Sequence, residues 1–435
     1  NPKQFAPFLE QSFFDMTLNR LESFENPYVI TVSSMKQPTE RSCENTRLSH
    51  ENIIYEPFGR NTAPAIALLC KVLKQRGLKD EIVGVFPADH YIANKEQFVD
   101  QVSLAEKAAS GKKIVTFGIR PSYPATGYGY IQAEGNNGDT LHVKEFKEKP
   151  NKEVASSYIK SGDYYWNSGM FVFQVSFMVE QFKTHLPELW SSIDDLLEDH
   201  SNLNQIYKNL ESVSIDYGIM ETSNDVLCIP CDFGWNDVGS WEEMAKFENV
   251  NHESQLKNYA EIYEKDSSRN FVYSNVEKKI ALINVHNLVI VDALEGLLIT
   301  SKGRSEEVKN VLTGPLKKVL SNQDNESLRP WGHYEILDSK ENSKVKRIFV
   351  KPGESISYQS HEKRAENWII ISGTPTVVIN DKEYLLKAGD SIQIPVRAKH
   401  RMKNLGMDEV EFVEVQTGSY FGEDDITRYE DKYGR

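Results

Sequence analysis

Between residues 82 and 119 the chain reads strand, helix, strand at close quarters, and this pattern constrains its fold more than any other feature. Residues 82–86 are an apolar run of strand length, followed at once by Pro87-Ala88-Asp89-His90. Residues 96–109 place apolar side chains at helical spacing, and 114–119 form a second buried-strand pattern. Strands alternating with helices through short connections predict an α/β layer on a largely parallel sheet. Gly135-Asn136-Asn137-Gly138-Asp139 lies between two strand-like runs, which predicts a turn and an antiparallel insertion. Helical spacing returns at 177–186 and at 203–210, and Pro187 punctuates the first of these.

After about Glu248 the character changes. Residues 271–300 are rich in Val, Ile and Leu, with Asn, Asp and Gly at the bends. No strict repeat is visible, but short strands with tight turns predict a small β-helix-like coil. Residues 303–320 read as helix and 321–327 as a polar linker. From 329 to 415, strands follow one another closely, punctuated by Pro-Gly, Ser-Gly, Asn-Asp and Ala-Gly-Asp, as in a compact β-barrel or sandwich. A length of 435 residues exceeds one ordinary domain. The expected division is an α/β domain over 1–250, a β-helix-like connecting segment over 251–320 and an all-β domain over 321–435.

Lys+Arg number 50 against Asp+Glu 64, a formal net charge of −14. That balance excludes a broad basic surface for nucleic acid or anionic membrane, but leaves room for a small phosphorylated substrate at a local site. No apolar run approaches the ~18 residues that cross a bilayer; the best candidate, 287–300, is broken by Asp292 and Glu295. The chain opens Asn1-Pro2-Lys3 with neither Met nor an apolar signal segment. The expectation is a cytoplasmic protein whose natural start lies upstream. Four cysteines, Cys43, Cys70, Cys228 and Cys231, are too few for a disulfide framework in a chain this long. The Cys228-Ile229-Pro230-Cys231 spacing ends a strand and has no second pair, so these are read as core cysteines.

Chemistry concentrates in two constellations. In a doubly wound sheet, ligands gather at the carboxyl ends of strands, so Asp89 is placed to face a crevice. A carboxylate there is either a turn or cap residue or a ligand for Mg²⁺, which takes hard oxygen donors. The stretch Phe233-Gly234-Trp235-Asn236-Asp237-Val238-Gly239-Ser240-Trp241 offers glycines that let backbone approach a phosphate, and Asp237 as a second metal ligand. Between them, Lys149 before Pro150 is a candidate phosphate charge, and Asn167 and Ser168 beside Trp166 suit sugar hydroxyls. In the second constellation, Gly353, Gln359, His361, Glu366 and Gly373 are followed by Gly389, Pro395, His400 and Asn404. Histidine nitrogens, a carboxylate and an amide oxygen suit Zn²⁺ or another divalent ion.

Taken in order, Pro2-Lys3-Gln4-Phe5, Glu56-Pro57-Phe58-Gly59-Arg60-Asn61-Thr62-Ala63-Pro64-Ala65, Pro87-Ala88-Asp89-His90, and the stretches 146–150, 166–171 and 234–241 make the chain resemble the mannose-1-phosphate guanylyltransferases. The resemblance implies a Rossmann-like mixed sheet and the conversion of GTP and α-D-mannose 1-phosphate into GDP-mannose and pyrophosphate. It implies that Asp89 and Asp237 hold Mg²⁺, that Lys3 neutralises charge, and that Lys149 takes the sugar phosphate. Glu56, Arg60, Asn61, Thr62, Gly127, Glu148 and Asn167 are then expected to bind substrate. Glu56 offers a carboxylate able to accept both donors on the Watson–Crick edge of guanine, a hypothesis for base choice. The family carries a glycine-rich, arginine-containing phosphate loop before its Pro-Lys-Gln-Phe, a loop that this sequence does not contain.

The second constellation resembles the two cupin motifs, and specifically the type II phosphomannose isomerase domain, which has Gln at the place of Gln359. Arg364-Ala365-Glu366, Arg329-Pro330-Trp331-Gly332 and the tail from Gly418 to Ile426 match it as well. The resemblance implies a metal held by Gln359, His361, Glu366 and His400, and interconversion of mannose 6-phosphate and fructose 6-phosphate. The sequence departs from that family at Glu362, Lys363, Asn367 and Arg397, which bears on isomerase activity rather than on fold. A homo-oligomer is expected. The alternatives left open are a non-catalytic binder of nucleotide sugars or sugar phosphates, a transferase using another base or sugar, and a monofunctional transferase with a structural cupin.

Overall fold

The structure, a computed structural model, describes residues 3–5, 11–44, 46–135, 139–241, 243–244, 260–274, 277–293, 296–308, 311 and 326–430. The chain divides into two compact units, Asn1–Lys257 and Asn258–Arg435.

The first unit is built on a six-stranded sheet in the order Ile82–Val85, Tyr164–Gln174, Ile114–Ile119, Val226–Cys231, Leu141–Lys147, Tyr130–Glu134. The sheet is mixed, not largely parallel: Ile114–Ile119 and Val226–Cys231 run parallel, and the other described pairs are antiparallel. Parallel neighbours need a long crossover, whereas Tyr130–Glu134 and Leu141–Lys147 are joined by a short loop and so pair as a hairpin. The middle of that loop, 136–138, lies outside the described residues. Ile82–Val85 is an edge strand and only half buried, against the sequence expectation of a buried strand.

Both faces of the sheet carry helices. Thr62–Gln75 packs against Val175–His185 and Pro187–Asp194 on one face, with Ala63, Ala67, Leu68 and Cys70 sealed from solvent. On the other, Lys95–Ala109 turns Phe98, Val102, Ala105 and Ala109 inward against Val115, Phe117 and Phe233. Each such phenylalanine contributes about 1.5–3 kcal/mol by leaving water. Asn94 caps the second helix by accepting a hydrogen bond from the Gln97 N–H, so the chain turns sharply just after Tyr91–Ile92. Two smaller pairings complete the unit: Val29–Val32 parallel to Ile53–Glu56, and Tyr91–Ile92 antiparallel to Trp235–Asn236.

In the second unit, Ala260–Lys265 lies parallel to Lys278–Ile283, and Phe271–Ser274 parallel to Leu288–Ala293. Ala260 faces Lys278 and Phe271 faces Val289, so the chain returns upon itself after the same 18 residues in both pairs. This is the β-helix-like coil, and its period is hidden in sequence because the turns differ in composition. Asn270 ties successive passes, donating to the Val285 carbonyl and accepting from the Leu288 N–H. Of the helix expected over 303–320, the described residues show a 3₁₀ turn at Ser305–Glu307 and little beyond, because most of 309–325 lies outside them.

The linker expected to 327 ends earlier, since Glu326–Arg329 is a strand paired with Gly332–Ser339. Gly332, at φ +148°, makes the reversal at Pro330-Trp331 possible: a Cβ there would meet the Phe349 carbonyl oxygen at 1.9 Å. Two sheets follow, the larger ordered Glu326–Arg329, Gly332–Ser339, Ser343–Val350, Val410–Gly418, Arg364–Ser372, Ser391–Ile394. The smaller runs Lys382–Leu385, Thr376–Ile379, His400–Lys403, Tyr358–His361, Ile426–Glu430. Ile348, Trp368 and Phe412 from one and Val377 and Met402 from the other share a core, giving an all-β cupin-like barrel. No helix among the described residues is long and apolar enough to cross a membrane.

Candidate functional sites

The short ladder between Tyr91 and Asn236 brings together two segments far apart in sequence, and with them Asp89 and Asp237. Lys3, from the 3₁₀ turn Lys3–Phe5, donates to Asp89 Oδ2 at 2.9 Å and to the Asp237 carbonyl. Asp237 is held by the Tyr128 hydroxyl, which donates to Oδ1 at 2.9 Å, and by the Gly239 N–H at 3.0 Å. Val238, at φ +47°, allows the tight turn that aims this carboxylate, and its N–H is taken by the Asn236 side chain. Lys3 thus bridges the Asp89 carboxylate and the Asp237 backbone, both aspartates lie beside His90, and carboxylate oxygens of this hard kind fit a divalent ion such as Mg²⁺. His90 lies partly buried beside them, and desolvation pushes its imidazole pKa down to about 4 despite the neighbouring Asp89. Trp235 Nε1 donates to His90 Nδ1 at 3.2 Å, which leaves the ring proton on Nε2, towards Asp89. His90 is therefore a neutral support for the turn.

Next to this centre, Tyr128 packs edge-on against Trp166 and Trp235, with centroids 5.1 and 5.4 Å away. The adjoining backbone leads to the sugar-phosphate candidates. Asn167 donates its N–H to the Gly129 carbonyl at 2.8 Å and its amide to Asp216 at 2.9 Å. Lys149, in the left-handed region at φ +48°, pairs with Glu148, whose carboxylate pushes the ammonium pKa up. The Lys149 side chain is nonetheless 61% exposed and able to meet a ligand. Gly127 is exposed in the bend just before Tyr128.

The remaining expected substrate residues form a third group around Tyr207. Glu56 is buried at the end of its strand, accepts from the Tyr207 hydroxyl at 3.1 Å, and is pushed up chiefly by burial. Arg60 donates to the carbonyls of Tyr207 and Lys208, so those donors tie down a helix end. Asn61 caps the helix Thr62–Gln75, and the Thr62 hydroxyl accepts the Ile215 N–H at 2.9 Å. The visible partners of Arg60, Asn61 and Thr62 are thus structural.

The second site lies inside the barrel. Gln359 and His400 face each other across neighbouring strands, with His361 on the same strand as Gln359. Ligand atoms of His361, Glu366 and His400 all lie within 4.8 Å of one another, and all three residues are buried. His361 Nε2 is 3.0 Å from one oxygen of Glu366 and His400 Nε2 is 3.4 Å from the other, yet neither nitrogen has hydrogen-bond geometry. Ligands about 2.1 Å from one ion stand about 3–3.5 Å apart, so these spacings fit a coordination shell. The His400 Nδ1 contact with the Ala398 carbonyl, 2.9 Å, orients the ring with Nε2 inward. Burial alone would push Glu366 up, but the two imidazoles hold it well below the usual carboxylate range. The Gln359 amide oxygen accepts from Ser357, and so is turned to its own strand in this conformation.

A nucleotidyl transferase family model matches residues 1–254, and a mannose-6-phosphate isomerase C-terminal model matches 317–431. Mannose-1-phosphate guanylyltransferase ManC of Salmonella typhimurium is 36% identical over 100% of this chain and 94% of its own length. The chain belongs to the mannose-1-phosphate guanylyltransferase family. Within that family, alginate biosynthesis protein AlgA of Pseudomonas aeruginosa is also 36% identical, over 100% of this chain and 93% of its own. A crystal structure described as mannose-1-phosphate geranyltransferase from Thermus thermophilus superposes with a TM-score of 0.64 at 29% identity, covering 72% of this chain and 92% of that one.

Sequence reasoning missed Tyr128, which supports Asp237, and Asp216, which is pushed up to about 6, first by burial and then by Glu148. Asp216 opens a π-helical turn, Asp216–Met220, a geometry often found at functional sites, but one with no sequence signature. It also missed the polar interior around Glu366. Trp368 Nε1 donates to both Glu366 and Glu414, and Gln416 donates to the same two carboxylates. Burial, and then Glu366, push Glu414 up to about 7. The available signal was the alternation Glu414-x-Gln416, which reads equally well as a solvent face.

Proposed function

We propose that residues 1–250 transfer a guanylyl group from GTP to α-D-mannose 1-phosphate, and that residues 321–435 interconvert mannose 6-phosphate and fructose 6-phosphate, with 251–320 connecting them. The observation carrying the first half is the convergence of Asp89, Asp237 and Lys3 beside the Asn167–Lys149 cluster. An oxygen of the mannose phosphate attacks the α-phosphorus of GTP, a new P–O bond forms, and pyrophosphate leaves with the electron pair of the broken one. Little covalent work falls to the protein, so positioning and charge neutralisation supply the rate. Lys3 meets developing negative charge near Asp89, Lys149 receives the sugar phosphate, and Asn167 orients hydroxyls of the sugar. Tyr128 keeps Asp237 aimed at the centre, and Glu56 selects guanine through its Watson–Crick edge. Asp89 and Asp237 would hold Mg²⁺, which when bound screens the charge of the phosphates.

In the barrel, His361, Glu366 and His400, with Gln359, would hold Zn²⁺ or another divalent ion, which polarises the sugar oxygens during isomerisation. The reaction places the protein in the cytoplasm, where nucleoside triphosphates and sugar phosphates are available. Protein expressed from its complete gene should form GDP-mannose from GTP and mannose 1-phosphate, followed by chromatography of the nucleotide sugar. Equal or faster product formation with ATP or with glucose 1-phosphate would overturn the choice of substrates.

A further inference from the structure

The larger sheet of the barrel has an inner face whose polarity changes along its strands. Lys344 faces Gln416, and Gln416 faces Glu366; one step along, Lys346 faces Glu414, and Glu414 faces Trp368. A further step brings Ile348, Phe412 and Ile370, which are core. Arg364 stands beyond Glu366, opposite Gly418, whose lack of a side chain lets the backbones close: a Cβ there would meet the Lys363 carbonyl oxygen at 2.2 Å. Lys344, Lys346 and Arg364 therefore share the polar end of the face that carries Glu366.

These cations are not balanced by the carboxylates around them. Arg364 is 2% exposed at its side chain, and its Nε has no hydrogen-bond partner, lying 3.7 Å from Glu366. Lys346 is 14% exposed and stands 3.5 Å from Glu414, which also accepts from Trp368 and Gln416. Lys344 forms no ion pair among the described residues, and burial together with Lys346 and Arg364 pushes its ammonium pKa down. Glu423, which also faces Lys344, is shared by Arg329 and Arg428, and Asp424, which faces Arg364, accepts from the Tyr420 hydroxyl at the surface. Glu366 is committed to the two histidines, and a divalent ion on that trio would increase the positive surplus further. Buried like charges are costly to keep together unless an anion enters among them.

We propose that Lys344, Lys346 and Arg364 form an anion subsite that takes the phosphate monoester of a sugar whose carbonyl end reaches His361, Glu366 and His400. The sugar's identity rests on the isomerase reading; the subsite rests on charge and register. Lys344 and Glu366 are two strand spacings apart, about 10 Å between backbones, a gap that an extended hexose 6-phosphate and a lysine side chain span together. The phosphate supplies affinity by pairing with the surplus charge, and the remote end is thereby positioned at the trio.

The test is calorimetric titration of the metal-loaded full chain with mannose 6-phosphate, inorganic phosphate and mannose, on the parent and on Lys344→Gln, Lys346→Gln and Lys344→Arg. Expected are binding of the two phosphate-bearing probes, at least tenfold weaker binding of both to each Gln variant, recovery in Lys344→Arg, and unchanged metal content. Should Lys346→Gln fail to fold, the half-buried Lys344 decides alone. Parent-like affinity for mannose 6-phosphate in the Gln variants, or mannose bound as tightly as its phosphate, overturns the subsite. Binding that needs these lysines without any fructose 6-phosphate formed removes the isomerase reading and keeps the subsite. Isomerisation with an unchanged KM in both Gln variants does the reverse.

Discussion

Asparagine in place of Asp89 or Asp237 is expected to lower kcat for guanylyl transfer by about a hundredfold or more, the scale on which preorganised electrostatics act. The substitution keeps shape and removes charge. At Asp237 the Tyr128 hydroxyl and the Gly239 N–H can still donate to the remaining carbonyl oxygen, so the turn should persist. At Asp89 the Lys3 ammonium loses its charged partner at 2.9 Å and gains freedom to leave the centre. Because both changes act on charge developed during transfer, the loss should fall on kcat more than on the KM for GTP. Steady-state kinetics at saturating Mg²⁺ measures it, and near-normal turnover in either variant would show that its carboxylate does not hold the ion.

The second large effect is expected in the barrel. Alanine at His361 or at His400 should take bound divalent metal from about one per chain to near none, read by elemental analysis. Each change removes one of only two nitrogen donors and leaves mostly oxygen atoms around the site. It also leaves Glu366 buried without one of the rings that hold it ionised, so the remaining ligands are less preorganised. Interconversion of mannose 6-phosphate and fructose 6-phosphate should vanish with the metal, while guanylyl transfer, which draws on Lys3, Asp89 and Asp237, should remain. A parent protein without metal, or a variant that keeps it, would reject the three-residue site.

Much of this was legible in the sequence, because the chemistry sits on short contiguous motifs. Asp89 follows an apolar strand-length run, and His361, Glu366 and His400 sit at spacings that resemble the two cupin motifs, so short motifs and that resemblance together nominated them. Strand direction was not legible: whether Tyr164–Gln174 runs with or against its neighbours depends on pairings far away in sequence. Glu326 and Ser327 read as the polar end of a linker, and join a strand only through the hairpin that Gly332 permits. Lys344 and Lys346 flank Val345, and Glu414 and Gln416 flank Val415, the ordinary pattern of a half-solvated strand. Here the polar side faces the barrel interior, and only the closed fold reveals that inversion.

The central claim, that this chain joins GMP and mannose 1-phosphate, is tested most directly in reverse. Protein from the complete gene, given GDP-mannose, pyrophosphate and Mg²⁺, should form GTP and mannose 1-phosphate, followed in one sample by phosphorus NMR. The account predicts both products in equal amounts, with little turnover of ADP-glucose or UDP-glucose and a loss of about a hundredfold in Asp237→Asn. Absence of GTP, or faster pyrophosphorolysis of either other nucleotide sugar, would contradict it.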